Sequence, residues 1–208
     1  MIGMNLQSTN GARGRSAWAA LLFILSASCV CAGQAAKADA KPERTDAADS
    51  RVTTVFLVRH AEKADVPGAD PPLSEAGKSR AEALARLLQS AGVKAVYTSQ
   101  FLRTQQTAEP TARRLGITPV PVPLSVKTSN PREVTDESVR ELTKRVEANA
   151  GGAVLIVGHS NSIPEVIRML GGDLVPKIDE SRFDDLFVVT VYPGGRAKVV
   201  QLKYGSTD

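Results

Sequence analysis

The chain has two histidines, His60 and His159, and each closes an apolar run: Val55-Phe56-Leu57-Val58-Arg59-His60 and Val154-Leu155-Ile156-Val157-Gly158-His159. A third run, 95–98, ends on Thr98-Ser99, and Arg103 follows about one helical turn later. Histidine accepts or donates a proton near neutrality and can act as a nucleophile. Arginine supplies permanently charged, bidentate donors whose geometry suits phosphate. Brought together, Arg59, His60, Arg103 and His159 would make a site for a dianion. A single histidine at the end of a strand is most often an ordinary boundary residue. Two of them, flanked by arginines and by a glycine turn at 158, are harder to explain that way. A metal site on the same two histidines lacks the His-x-His or His-Glu-x-x-His spacing that would support it.

These residues can meet only if the runs are neighbouring strands. Ligands in open α/β sheets bind beyond the carboxyl ends of the strands. Residues 52–58 and 153–157 are β-branched and apolar throughout, as strands buried on both faces are. Ser74 is a good N-cap for a helix in which Leu84, Leu87, Leu88 and Ala91 share one face, with Gly92 as its stop. A second helix is expected from near Ser99 to Leu115, with Pro110 as a kink and Gly116 as its end. Residues 120–122 suit a short strand and 123–134 a Pro/Ser/Asn loop. Residues 135–148 suit a helix with Val139, Leu142 and Val146 inward. Ser162-Ile163-Pro164-Glu165 has the pattern of a capping box opening a helix through Leu170. Residues 185–192 and 197–202 flank Pro193-Gly194-Gly195-Arg196 as a hairpin. The expected fold is therefore α/β: a three-layer sandwich, its mostly parallel sheet flanked by helices, with an antiparallel C-terminal hairpin at the edge. Arg80, Arg86, Arg113 and Arg114 read as solvated helix faces.

Arg59-His60-Ala61 after a strand, Ser99-x-x-x-Arg103-x-x-x-Thr107-Ala108, and Gly158-His159-Ser160 after a later strand resemble the histidine phosphatase superfamily, in its phosphoglycerate-mutase-like branch. The resemblance spans 52–205, and Ala61 stands where the family's first motif has glycine. It implies a metal-independent phosphatase without cofactor, in which His60 is the nucleophile that forms a phosphohistidine. Arg59, Arg103 and His159 would bind the phosphoryl oxygens. The short length resembles the compact bacterial members. The partner implied is a small phosphorylated substrate or a phosphoprotein. Alternatives are a non-catalytic phosphate-binding module of the same fold and a phosphoglycerate mutase. A general acid is hard to find. Glu133 is the only carboxylate in 119–135, Ser160 follows the second histidine where some members have aspartate, and Glu62 and Asp65 lie near His60.

The 208 residues are 42% hydrophobic and 23% charged, which suits one globular domain. A net charge of +4 with 4% aromatics gives no nucleic-acid signature. Arg13 and Arg15 precede an apolar stretch at 17–30, and small residues follow up to Ala32. This reads as a signal segment over 1–32, too short for a membrane span of about 20 residues. The expectation is an exported protein, periplasmic or secreted. An uncleaved anchor, or a lipid on Cys29, would be the only membrane attachment. Both cysteines, Cys29 and Cys31, lie in this segment, so a chain cut after Ala32 has no thiol. Residues 33–51 are rich in Ala, Lys, Asp and Glu without apolar periodicity and read as a disordered tether.

Overall fold

β-Branched residues build a six-stranded sheet whose centre is buried on both sides. The structure, a computed structural model, describes residues 51–174 and 176–205. The signal segment, its cysteines and the tether up to residue 50 lie outside the described residues. The described residues belong to one compact unit.

Strand β1 (Thr53–Arg59) lies between β6 (Ala153–Gly158) and β7 (Asp185–Tyr192), in the order β3-β2-β6-β1-β7-β8. β2 is Val93–Thr98, β3 Val120–Pro121 and β8 Arg196–Lys203. β3, β2, β6 and β1 run parallel, while β7 and β8 form the antiparallel edge hairpin. Alternation along the strands feeds two cores. Val55, Leu57, Val154 and Ile156 face α3 (Asp136–Glu147) and α4 (Ser162–Met169), meeting Val139, Leu142, Val146, Ile163 and Ile167. Val58, Leu155 and Val157 face α1 (Glu75–Leu88) and α2 (Leu102–Leu115), meeting Leu84, Leu88, Ala108 and Ala112. The sandwich is three-layered as expected. No described helix is long and apolar enough to cross a membrane.

Four local expectations are corrected. Leu87 is 52% exposed, because α1 turns Ala81 and Ala85 to the core with Leu84 and Leu88. α2 begins at Leu102, not Ser99, and runs unbroken through Pro110. The segment 123–134 is not all loop: β4 (Val126–Lys127) and β5 (Asn130–Val134) pair antiparallel in a separate small sheet. The capping box does not form, because Asn161 precedes α4 and makes no side-chain cap. Ser162 is already helical and its Oγ accepts the N–H of His159 at 2.9 Å, while Glu165 pairs with Arg168.

Candidate active site

Strand register brings the two histidine runs together. Arg59 lies opposite Gly158 and Thr98 opposite Val157, and the N–H of His60 donates to the carbonyl of Gly158 at 2.9 Å. The imidazoles of His60 and His159 sit edge to face with centroids 5.3 Å apart. Arg103, in the first turn of α2, completes the group. All four residues line one pocket of about 270 Å³, with Lys63, Arg132 and Glu180 at its rim. The turn at Gly158 has a steric cause: a Cβ there would stand 2.8 Å from Ser162 Oγ and 3.3 Å from Ile163 Cγ1.

His60 is 4% exposed, and its Nδ1 lies 2.8 Å from the carbonyl oxygen of Ala61. A carbonyl can only accept, so Nδ1 carries the proton and Nε2 keeps its lone pair. Burial lowers the pKa of His60 to about 4, with Arg59, Arg103 and Lys63 adding to the effect against the hydrogen bond to Ala61. Burial lowers that of His159 to about 3, assisted by His60, Arg103 and Arg59. Both rings are neutral at pH 7. The position is held from α2: Thr107 Oγ1 accepts the N–H of Ala61 at 2.9 Å and donates to the carbonyl of Arg103 at 2.7 Å. Ala61 is fully buried, and its methyl packs with Leu73 and Ala81, which accounts for a side chain where the resembling family has glycine.

Arg59 is 5% exposed, and its guanidinium is held on one side only. Nη1 donates to the carbonyls of Asp179, Glu180 and Arg182 at 3.2, 2.5 and 3.1 Å, and the plane stacks on Phe183 at 4.3 Å. Its Nε is buried with no partner among the described residues. Arg103 stacks on Phe101 at 4.2 Å and donates to Asp70 at 3.3 Å. The Asp70 carboxylate also accepts the N–H of Leu102, capping α2 from the loop after β1. Burial lowers the pKa of both guanidiniums; Glu180 and Asp179 oppose this at Arg59, and Asp70 at Arg103.

The acids proposed from sequence are not brought into the pocket. Glu62 pairs with Arg80 through both oxygens, and Arg80 also reaches the carbonyl of Tyr204 at 3.0 Å. Arg80 is thus a half-buried tie between α1 and the C-terminal strand rather than a solvated face, while Arg86, Arg113 and Arg114 are exposed as expected. Glu133 binds Lys127 and Asn130 beside a neighbouring pocket, and Asp65 is absent from the lining. Sequence reasoning missed Phe101, Phe183, Asp70, Arg132 and Glu180. Asp70 and Phe183 act across 30 residues or more, and no local pattern announces them. Among the described residues, no three His, Cys, Asp or Glu side chains cluster as a metal site would need.

An α/β sheet whose carboxyl edge gathers two neutral imidazoles and two guanidiniums, one with a buried and unfilled donor, is built to hold an oxyanion beside a nucleophile. Residues 55–127 match the family model of the histidine phosphatase superfamily (branch 1), a span that holds Arg59, His60 and Arg103 and stops short of His159. The matched span is less than half of the chain, and it makes the chain similar to that superfamily. Its fold is similar to that of the protein histidine phosphatase SixA complexed with tungstate, at 19% identity and a TM-score of 0.58, covering 72% of this chain and 96% of that one. A phosphoglycerate mutase from Bacillus anthracis is similar at 19% identity and 0.58, covering 74% and 94%. The mycobacterial glucosyl-3-phosphoglycerate phosphatase is similar at 16% identity and 0.54, covering 76% and 100%. No curated protein sequence matches the chain. The matched family model and these solved structures are of phosphatases and a phosphoglycerate mutase.

Proposed function

We propose that the chain is a phosphohydrolase that works through a phosphohistidine on His60. The observation that carries this reading is the tautomer of His60: Nδ1–H is spent on Ala61, and the lone pair of Nε2 is left for the pocket it shares with Arg59 and Arg103. Nε2 attacks phosphorus, the N–P bond forms and the P–O bond to the leaving group breaks. Arg59, Arg103 and His159 surround the phosphoryl oxygens, where positioning and fixed charge supply most of the acceleration in phosphoryl transfer. Water then attacks phosphorus, the N–P bond breaks, and His60 recovers its lone pair as phosphate leaves. None of these steps is assigned to a metal.

The leaving oxygen needs a proton unless it is already a good leaving group. Glu62 and Glu133 are engaged elsewhere, and Glu180 is the one carboxylate lining the pocket. This favours phosphatase action on activated phosphoryl groups over mutase turnover. The substrate is a small phosphorylated molecule or a phosphoprotein. From residues 1–32 we also propose export, which N-terminal sequencing of the protein from its cells would check. The functional test uses an activated aryl phosphate with chelator present. The wild type should turn over and give an acid-labile phosphoenzyme, and His60→Ala should do neither. Full activity in His60→Ala would refute the mechanism, and phosphate binding without any turnover would favour a binding module.

A further inference from the structure

The second imidazole is wired by hydroxyls that the mechanism above does not use. Nε2 of His159 lies 2.9 Å from Ser99 Oγ, which lies 2.9 Å from Thr104 Oγ1. Thr104 Oγ1 is in turn 2.8 Å from the carbonyl of Phe101 and 3.2 Å from that of Ser99. Direction along this chain follows from proton counting. Both carbonyls lack hydrogen and can only accept, so the single hydroxyl proton of Thr104 points to them. Thr104 Oγ1 must then accept from Ser99, which spends the proton of Ser99. The serine oxygen is left as an acceptor, a role it also has toward the N–H of Phe101 at 3.4 Å. Only Nε2–H of His159 satisfies the contact. The three hydroxyl and imidazole groups are all buried, so a reversed polarity would leave lone pairs facing each other where water cannot intervene.

We infer that Ser99 and Thr104 are positioning residues that hold His159 as the Nε2–H tautomer, opposite to that of His60, so that a bound phosphoryl group shares one extra proton with Nδ1 of His159. The inference rests on the phosphoryl-site reading. With Nε2 committed to Ser99, Nδ1 is the ring nitrogen left for the pocket, and in the neutral ring it carries a lone pair. An anionic oxygen facing a lone pair is repelled. A bound phosphoryl dianion therefore draws a proton from solution onto Nδ1, which then donates to a phosphoryl oxygen. The groups facing this ring are His60 and Arg59 from the end of β1, Arg103 from α2 and Ser99 from the end of β2. Lys63, Arg132 and Glu180 line the same pocket from the loop after β1, from β5 and from the 176–184 loop. Without a ligand, burial together with this excess of cations keeps the extra proton off. A bound dianion reverses the local sign and brings it in.

Because the chain has two histidines, both rings can be read individually. Long-range proton–nitrogen NMR on histidine-labelled protein, assigned with His60→Gln, reports which ring nitrogens carry protons. At pH 7.5 the free protein should show His60 protonated on Nδ1 and His159 on Nε2. Saturating inorganic phosphate should leave His60 unchanged and protonate His159 on both nitrogens. In Thr104→Val, Ser99 regains a free proton, and His159 should lose its single-tautomer signature. Ser99→Ala should weaken phosphate binding roughly tenfold, the loss of one hydrogen bond to a charged group. Finding His159 protonated on Nδ1 in the free protein, or still neutral with phosphate bound, would overturn the inference. The free-protein tautomer is read without ligand. Failure of phosphate to perturb either ring would count against the phosphoryl site itself.

Discussion

Two neutral, buried histidines make the fold acid-sensitive. In the unfolded chain both imidazoles titrate near 6.5, the ordinary value for histidine, whereas in the folded chain they titrate at about 4 and about 3. The folded state therefore binds fewer protons across the window from about pH 6.5 down to 4. Stability is full above the unfolded pKa and is lost as pH falls. Between pH 7.5 and 5.5 each unfolded imidazole gains nearly one proton and each folded one almost none, a loss of roughly 1 kcal/mol per ring and 2–3 kcal/mol for the pair. A domain of this kind has about 5–15 kcal/mol in total. The assay is urea unfolding at both pH values in phosphate-free buffer, comparing wild type with the His60→Asn/His159→Asn double variant. Asp173, Asp179 and Asp185, whose pKa values are lowered by hydrogen bonds and cations, titrate alike in both proteins and cancel. The wild type should lose more stability on acidification, by roughly the paired amount above. Equal acid losses in the two proteins would refute the reasoning, because they would mean that the imidazoles are not held neutral.

Three further outcomes follow from contacts around the site. Arg59→Lys keeps the charge but cannot hold the carbonyls of residues 179, 180 and 182 and a phosphoryl group together; kcat/KM on an aryl phosphate should fall about 100–1000-fold, and limited proteolysis should cut 176–184 faster. Gly158→Ala places a methyl 2.8 Å from Ser162 Oγ, and the urea midpoint should report a loss of about 1–3 kcal/mol. Glu62→Gln removes the charge facing Arg80 at a half-buried pair and should cost about 1–3 kcal/mol, while the His60 tautomer stays the same by NMR.

The parts of the fold legible in the sequence are those where one local cause suffices. β1 and β6 are apolar on both faces, so 52–58 and 153–157 could belong only to the middle of a sheet. Their parallel register then fixes that His60 and His159 meet. Two boundaries resisted because a nonlocal partner overrides a local signal. Ser99 looks like the start of α2, but its hydroxyl is committed to His159 and Thr104, and the cap of α2 arrives from Asp70. Ser162 looks like the head of a capping box, but its hydroxyl serves the backbone of His159. In both cases the side chain that sequence rules give to a helix end was taken by the site. The β4–β5 hairpin was hidden for another reason: its residues are mostly exposed and carry no apolar alternation.

Three of the four site residues share one design, and it bears on what the pocket will accept. Each has one polar end fixed by the protein and another without a partner among the described residues: Nδ1 against Nε2 in His60, Nε2 against Nδ1 in His159, and Nη1 against the buried Nε in Arg59. Fixed donors need no reorganisation when charge develops in the transition state. The kind of anchor matters as much as its rigidity. Carbonyls hold His60 and Arg59, and a hydroxyl holds His159, so none of these anchors cancels the positive field. Only Arg103 is held by a carboxylate, through a 3.3 Å contact to Asp70, whose side chain is 41% exposed. A phosphoryl dianion therefore displaces little to enter. Arg103 is the group that would exchange one anion for another, while Arg59 is held by carbonyls with Glu180 and Asp179 nearby.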